Sequence, residues 1–178
     1  MIETERLILR PWREADKPTF AAIINTPAMM RHFGGVAPRS DIDALLDAQM
    51  AGQARDGYSM WAVDWRATGA LAGIVGLRRA HHPDTPITGA LETGWRIAEP
   101  FWGMGVAREA AAAAIAWGWA NTDFPLIVAY TTAGNAASWG LMLRLGMARR
   151  ADLDFRHPKF ADDDPLGAMI VYAVERPA

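Results

Sequence analysis

Apolar and polar positions along the chain fall into short alternating runs and a few stretches with helical spacing. Leu7 to Leu9 reads as a strand ended by Pro11. From Arg13 to Asn25 the residues Phe20, Ile23 and Ile24 lie at helical spacing, and Pro27 stops the pattern. Ser40 reads as an N-cap, with Asp41 and Asp43 in the first turn of a helix carrying Ile42, Leu45, Leu46 and Gln49. Met60 to Trp65 and Ala70 to Leu77 are strand-like runs joined through Ala67-Thr68-Gly69, which predicts a hairpin. A third such run, Leu91 to Ile97, follows a proline-rich loop containing His81, His82, Pro83 and Pro86.

Beyond Ile97 the texture changes. Pro100 to Gly105 is a glycine-containing loop, and Val106 to Asn121 is an alanine-rich stretch of high helix propensity. Leu126 to Thr131 predicts a strand, and Ala136 to Leu145 a helix closed by Gly146. Two last strands are expected around Met147 to Phe155 and Ala168 to Val174. No repeat, low-complexity tract or linker divides the chain, so residues 1–178 read as one α/β (α+β) domain, a mixed sheet with helices packed on it.

The strand-loop-helix passage from Leu91 to Glu109 carries candidate chemistry. Gly103 and Gly105 tolerate positive φ and close approach by a ligand. The free amides at the start of the following helix, and its dipole, suit a phosphate or pyrophosphate. A flexible connection with no ligand is the plainer reading of the same spacing. The ATPase phosphate loop is excluded, because Val106-Ala107 stands where a Lys-Ser/Thr pair is needed. A dinucleotide fingerprint fits no better: Arg108 holds the third-glycine position, and no acid ends Leu126 to Thr131.

Composition narrows the chemistry further. Of 178 residues 51% are hydrophobic and 21% charged, which marks a globular chain, and a net charge of -2 offers no general pull toward nucleic acid or anionic lipid. With no cysteine there is no thiolate nucleophile, disulfide or cysteine-held metal. The N-terminus lacks a secretory pattern, and the longest apolar run, Ala110 to Ala120 interrupted by Gly118, is short of a membrane span. A cytoplasmic location is the expectation. Among eighteen basic residues only Lys17 and Lys159 are lysine, and there are eight tryptophans. His81, His82 and Asp84 read as an exposed loop in preference to a metal site, and no metal is expected.

The chain resembles the GCN5-related N-acetyltransferases, and within them the RimJ/RimL-type subgroup. Pro100-Phe101-Trp102-Gly103-Met104-Gly105 matches the family's Gln/Arg-x-x-Gly-x-Gly/Ala loop except at its first position. Glu92, Gly94, Trp95, Arg96, Gly103, Gly105, Ala107, Glu109 and Ala110 match a subgroup pattern, followed by Asn135, Ser138, Gly146 and Met147. Thr4 to Arg10, Trp61-Ala62-Val63 with Gly73 to Leu77, and Asp154-Phe155-x-His157-Pro158 with Pro165-Leu166 and Tyr172 extend the resemblance over nearly the whole chain.

The resemblance implies a mostly antiparallel sheet of about seven strands with helices on both faces, splayed where acetyl-coenzyme A enters. Pyrophosphate would rest on the amides of Trp102, Gly103, Met104, Gly105, Val106 and Ala107, with Arg108 nearby. The pantetheine would run along Trp95, Arg96 and Ile97, with Asn135 contacting it. The reaction implied is direct attack of a primary amine, on a small molecule or a protein N-terminus, in a ternary complex. Glu92 is the expected base and Ser138 the proton donor to the leaving thiolate, since the family's tyrosine position holds Met142. Each has a plainer alternative: a strand glutamate paired with Arg96, and a helix-start serine. Tyr130 is a further candidate donor, although a strand position favours packing. His157 is either a turn residue or a second base, Met169 replaces a histidine of one branch, and Glu109 suits the helix dipole. Two other readings stay open: a silent coenzyme A-binding module, and transfer of another acyl group or to oxygen. A monomer or weak homodimer is expected, with no nucleic-acid or membrane partner.

Overall fold

The computed structural model describes residues 1–177. Its strands are β1 (Ile2–Glu3), β2 (Leu7–Arg10), β3 (Met60–Trp65), β4 (Ala70–Arg79), β5 (Leu91–Ile97), β6 (Leu126–Thr132), β7 (Ala148–Arg149), β8 (Phe155–Arg156) and β9 (Ala168–Glu175). They form one sheet in the order β1-β2-β3-β4-β5-β6-β9-β7, with β8 also on β9. All pairings are antiparallel except β5 with β6.

The sheet therefore has nine strands where about seven were expected. One addition is β1, too short to show a period. The other arises because Met147 to Phe155 is not one strand but two, separated by a turn of 3₁₀ helix at Ala151–Leu153. Asp154 explains the break: its Oδ1 accepts from the Val171 amide at 3.0 Å, replacing a backbone carbonyl in the ladder.

The helices are α1 (Lys17–Ile24), α2 (Pro27–Met30), α3 (Arg39–Asp56), α4 (Val106–Asn121) and α5 (Ala136–Arg144). Two departures from expectation concern helix starts. Glu14–Asp16 is 3₁₀ and the α-helix begins only at Lys17, with Pro18 in its first turn. Ser40 lies inside α3 and is not its cap; Pro38 holds that position without a side-chain hydrogen bond. By contrast, α4 and β5 have the expected bounds.

The two sheet faces bury different helices. On one, Val106, Ala110, Ala111, Ala114 and Ile115 of α4 pack on Leu77, Leu91 and Ile127. Alanine does more here than favour helix: a side chain at Gly118 would lie 2.8 Å from Leu77 Cδ1, so only small residues let α4 sit this close. α5 covers the same face through Met142, which packs with Ala129 and Tyr172. On the other face α1 to α3 bury Phe20, Ile24, Ile42 and Leu46 against Ala62 and Ile74. Farther along that face, the loops flanking β8 close over Val128, Val171 and Phe155.

Candidate active site

The parallel pair β5–β6 sets up the site. Its register contains only Leu91↔Ile127 and Glu92↔Val128, although each strand has seven residues. Past Glu92 the strands part, leaving the edge of β5 from Thr93 to Ile97 unpaired toward β6. An open strand edge presents N–H and C=O groups that an extended ligand pairs with.

The loop after β5 closes one end of this gap. Gly103 and Gly105 have φ of +74° and +79°, in the left-handed region that glycine adopts freely. A side chain at Gly103 would meet nothing within 4 Å, so the loop surface is open. Gly105 caps α4 without supplying a side-chain acceptor, which leaves the first-turn amides directed outward. Arg6 holds the loop from behind: Nη1 donates to the Met104 carbonyl at 2.9 Å, and Nε donates to Glu109 Oε2 at 2.7 Å. Glu109 also accepts from the Thr4 hydroxyl and the Arg6 amide. It thus ties α4 to the N-terminal strands, in addition to the dipole role expected for it.

Where β5 and β6 part, five polar side chains converge on the face opposite α4. Glu92 is 4% exposed. Its Oε1 accepts from Arg78 Nη2 at 2.8 Å, while Oε2 is buried with no partner. Arg78 also donates to the Tyr130 hydroxyl at 3.3 Å. That hydroxyl is 2.8 Å from His82 Nε2, and the same nitrogen is 3.8 Å from Glu92 Oε2. His157 lies 4.7 Å from the His82 ring, centroid to centroid. Burial, with Arg78 and His81 beside it, brings the His82 imidazole down to about 4, so it is neutral near pH 7. His157 is likewise lowered, first by burial and then by His82 and Arg78. Burial and the Glu92 carboxylate push the Tyr130 phenol up, which keeps it protonated. Arg78 stays charged because Glu92 and Tyr130 outweigh the burial that opposes its charge.

Sequence reasoning missed two members of this cluster. Arg78 lies one residue past the expected end of its strand, and His82 is 9% exposed where an exposed loop residue was expected. His82 is buried because the loop folds back onto Tyr130, Phe155 and His157, partners distant in sequence. The signal available was the pair of histidines itself. Only His81 is exposed. Tyr130 places its hydroxyl among the polar groups while its ring packs on Phe155, so it serves both readings.

The remaining candidates lie elsewhere around the gap. Ser138 is half-buried in the first turn of α5, on the sheet face opposite Glu92, and the fold does not bring the two together. Asn135 is the N-cap: its Oδ1 accepts from the Ser138 amide and its Nδ2 donates to Thr131 Oγ1 at 3.0 Å. Met142 is buried under α5. Trp95 packs between the two clusters of the α4–α5 face. Trp102 is exposed, yet its indole N–H reaches back to the Ile97 carbonyl, so that edge acceptor is engaged. Met104 is exposed, Ala107 half-buried and Val106 buried. Arg108 is exposed and lines a shallow cleft with Arg144. Arg96 joins the polar face, its guanidinium 3.9 Å above the Phe33 ring. No group of three or more potential metal ligands exists among the described residues.

A sequence model of the acetyltransferase (GNAT) domain matches residues 6–148. The chain belongs to the GNAT acetyltransferase family. It is 26% identical over 145 residues to the uncharacterized protein YkkB of Bacillus subtilis, covering 81% of this chain and 83% of that one. An acetyltransferase from Agrobacterium tumefaciens superposes with a TM-score of 0.78 at 27% identity, over 98% of this chain and 93% of that one. RimL, a ribosomal L7/L12 α-N-protein acetyltransferase solved with coenzyme A, superposes with a TM-score of 0.75 at 16% identity, over 97% and 95% of the two chains.

The chain is accordingly an acyltransferase, and GNAT enzymes take acetyl-coenzyme A as acyl donor. This GNAT domain has the features such a donor requires. The uncapped start of α4 and the open glycine loop suit its pyrophosphate, and the free edge of β5 suits its pantetheine amides. No helix among the described residues is long and apolar enough to cross a membrane.

Proposed function

We propose that the protein is an acetyl-coenzyme A-dependent N-acetyltransferase that acts on a primary amine by direct attack in a ternary complex. The observation that carries this reading is the buried Glu92 carboxylate, with one oxygen held by Arg78 and the other unpartnered, at the point where β5 and β6 separate. A buried acceptor oxygen without a partner is costly, and an arriving ammonium or a bridging water satisfies it.

Each residue then has a task. The α4 amides, with Trp102, Gly103, Met104, Gly105, Val106 and Ala107, hold the pyrophosphate, and Arg108 adds positive charge beside it. The backbone of Trp95, Arg96 and Ile97, at the open edge of β5, guides the pantetheine, and Asn135 fixes the start of α5 beside it. The bound donor supplies a thioester carbon for attack. Glu92 Oε2 takes the proton of the amine, directly or through water, while Arg78 fixes the orientation of the carboxylate. Ser138, across the gap, donates toward the departing sulfur. Tyr130 and neutral His82 complete a hydrogen-bonded wall around Glu92. Two sheet faces thereby divide the work, the amine entering on one and the thiol leaving toward the other.

Release of free thiol from acetyl-coenzyme A with a panel of amines, amino acids and peptides tests the assignment. Acceptor-dependent release that falls away in Glu92→Gln is expected. Binding of coenzyme A without turnover on any acceptor would instead favour a silent binding module.

A further inference from the structure

Among the described residues Arg96 differs from the other partly buried arginines in having neither a counter-ion nor a carbonyl acceptor; Arg176, also without a carboxylate, donates to the carbonyls of Trp119, Thr122 and Phe124. Arg10 is paired with Asp16 and Asp64, Arg6 with Glu109, and Arg78 with Glu92. Among the described residues no carboxylate or carbonyl receives the N–H groups of Arg96. Its guanidinium rests on the Phe33 ring at 3.9 Å, a stacking that steadies the plane and leaves the N–H edge available. The charge nearest in effect is another cation, Arg78, and burial together with that neighbour lowers the Arg96 guanidinium to about 10. A partly desolvated cation beside a like charge is unfavourable until an anion joins it.

The described residues around it supply no such anion. Phe33 is held from above by Lys159, whose Nζ donates to the Phe33 carbonyl at 2.9 Å. The loop between α2 and α3 therefore meets the loop between β8 and β9 over Arg96, bringing a second cation without a carboxylate partner among the described residues. The acids of these segments are otherwise placed. Asp164 Oδ1 caps Leu166, Asp162 and Asp163 are exposed, and Glu99 accepts from Thr26. His82 and His157 are held neutral, as described above.

We infer that the acceptor is a small amine that also carries an anionic group, a carboxylate or a phosphate, which Arg96 binds while the amine is presented to Glu92. The inference rests on the acetyl-transfer reading above. Glu92 and Arg96 lie on one face of β5, with Cα atoms about 13 Å apart along the strand. Their head groups can thus address the two ends of one small molecule. Planar guanidinium pairs in bidentate fashion with carboxylate and phosphate alike. A polyamine acceptor is disfavoured, because it would bring positive charge to a face where Arg96 is already uncompensated.

Matched acceptors at saturating acetyl-coenzyme A provide the test: an amino acid against its C-terminal amide, an aminoalkyl phosphate against its parent amino alcohol, and spermidine. The wild-type enzyme should use an anionic member at least about tenfold better in kcat/KM than its neutral match, as expected for a charge-assisted pair. The pair showing the larger ratio identifies carboxylate or phosphate as the group read. Arg96→Met should abolish the preference by raising KM for the acceptor, with Arg96→Lys recovering part of it and KM for acetyl-coenzyme A within about twofold of wild type. Equal use of charged and neutral amines, a preference for spermidine, or an Arg96→Met defect confined to KM for acetyl-coenzyme A would each overturn the inference while leaving acetyl transfer in place. Failure of every amine to release thiol would remove both.

Discussion

The two oxygens of Glu92 have different surroundings, and their chemistry follows from the difference. Oε1 is bound by Arg78, so the carboxylate has one orientation; Oε2 has no partner, so a proton donor is accepted there. Glu92→Gln keeps an acceptor for Arg78 but removes the proposed base. It should lower kcat by about 10²- to 10⁴-fold with the fold intact, measured by thiol release alongside circular dichroism. A variant with wild-type turnover across pH would take Glu92 out of the mechanism. His82 makes a separate, pH-linked contribution. Its folded value, about 4, lies below the ordinary 6.5, so between these pH values the unfolded chain binds the extra proton and stability rises with pH. The loss on acidification should therefore run from about pH 6.5 down to about pH 4. Urea titrations across that window should show a shallower dependence in His82→Gln than in wild type. His157, also lowered, leaves part of the slope in place.

At the level of elements, two joints decide how the proposed donor site is held. The first is the Arg6 tether, which fixes the glycine loop through Met104 and α4 through Glu109. Arg6→Met leaves the catalytic face untouched. It should raise KM for acetyl-coenzyme A about fivefold, equivalent to about 1 kcal/mol, with kcat at saturation little changed. A kcat effect at unchanged KM would contradict this assignment. The second joint is Gly73, at the bulge where β4 bends against β3 and β5. Its φ is +152°, and an added Cβ would lie 2.2 Å from the Arg96 carbonyl oxygen. Gly73→Ala should therefore cost more than about 2 kcal/mol and lower the thermal midpoint, read by calorimetry or circular dichroism.

For the whole molecule, the sheet itself is the device. Seven of its eight pairings follow the strands as far as they run, and the β5–β6 pair alone stops early. Helices cover both faces around that opening, so a ligand in the gap touches β5, β6 and the start of α4 together. Binding there stabilises the folded chain as a unit. Coenzyme A at 100 times its Kd should add about 2.7 kcal/mol, which raises Tm by about 5–10 °C for a protein of this size. Trp102, exposed in the loop, and Trp95, beside the gap, should report the same event as a change in tryptophan fluorescence. A flat titration in both measurements would count against the pocket.

Local pattern settled those features whose cause is local. The bounds of α4 and β5 and the β3–β4 hairpin follow from helix propensity, alternation and turn chemistry, and the glycine loop from residue spacing. The family was legible because its motifs run in order through these segments. What depends on partners far along the chain was not legible. Asp154 divides the edge strand only because Val171 lies beside it. His82 becomes a buried, neutral member of the site through Tyr130, Phe155 and His157. Arg96 becomes a cation without a counter-ion only when Phe33 and Arg78 are brought beside it. Propensity, spacing and alternation act between near neighbours and are written in the sequence. Desolvation, pairing and charge balance depend on which distant groups meet, so they exist only once the chain has folded.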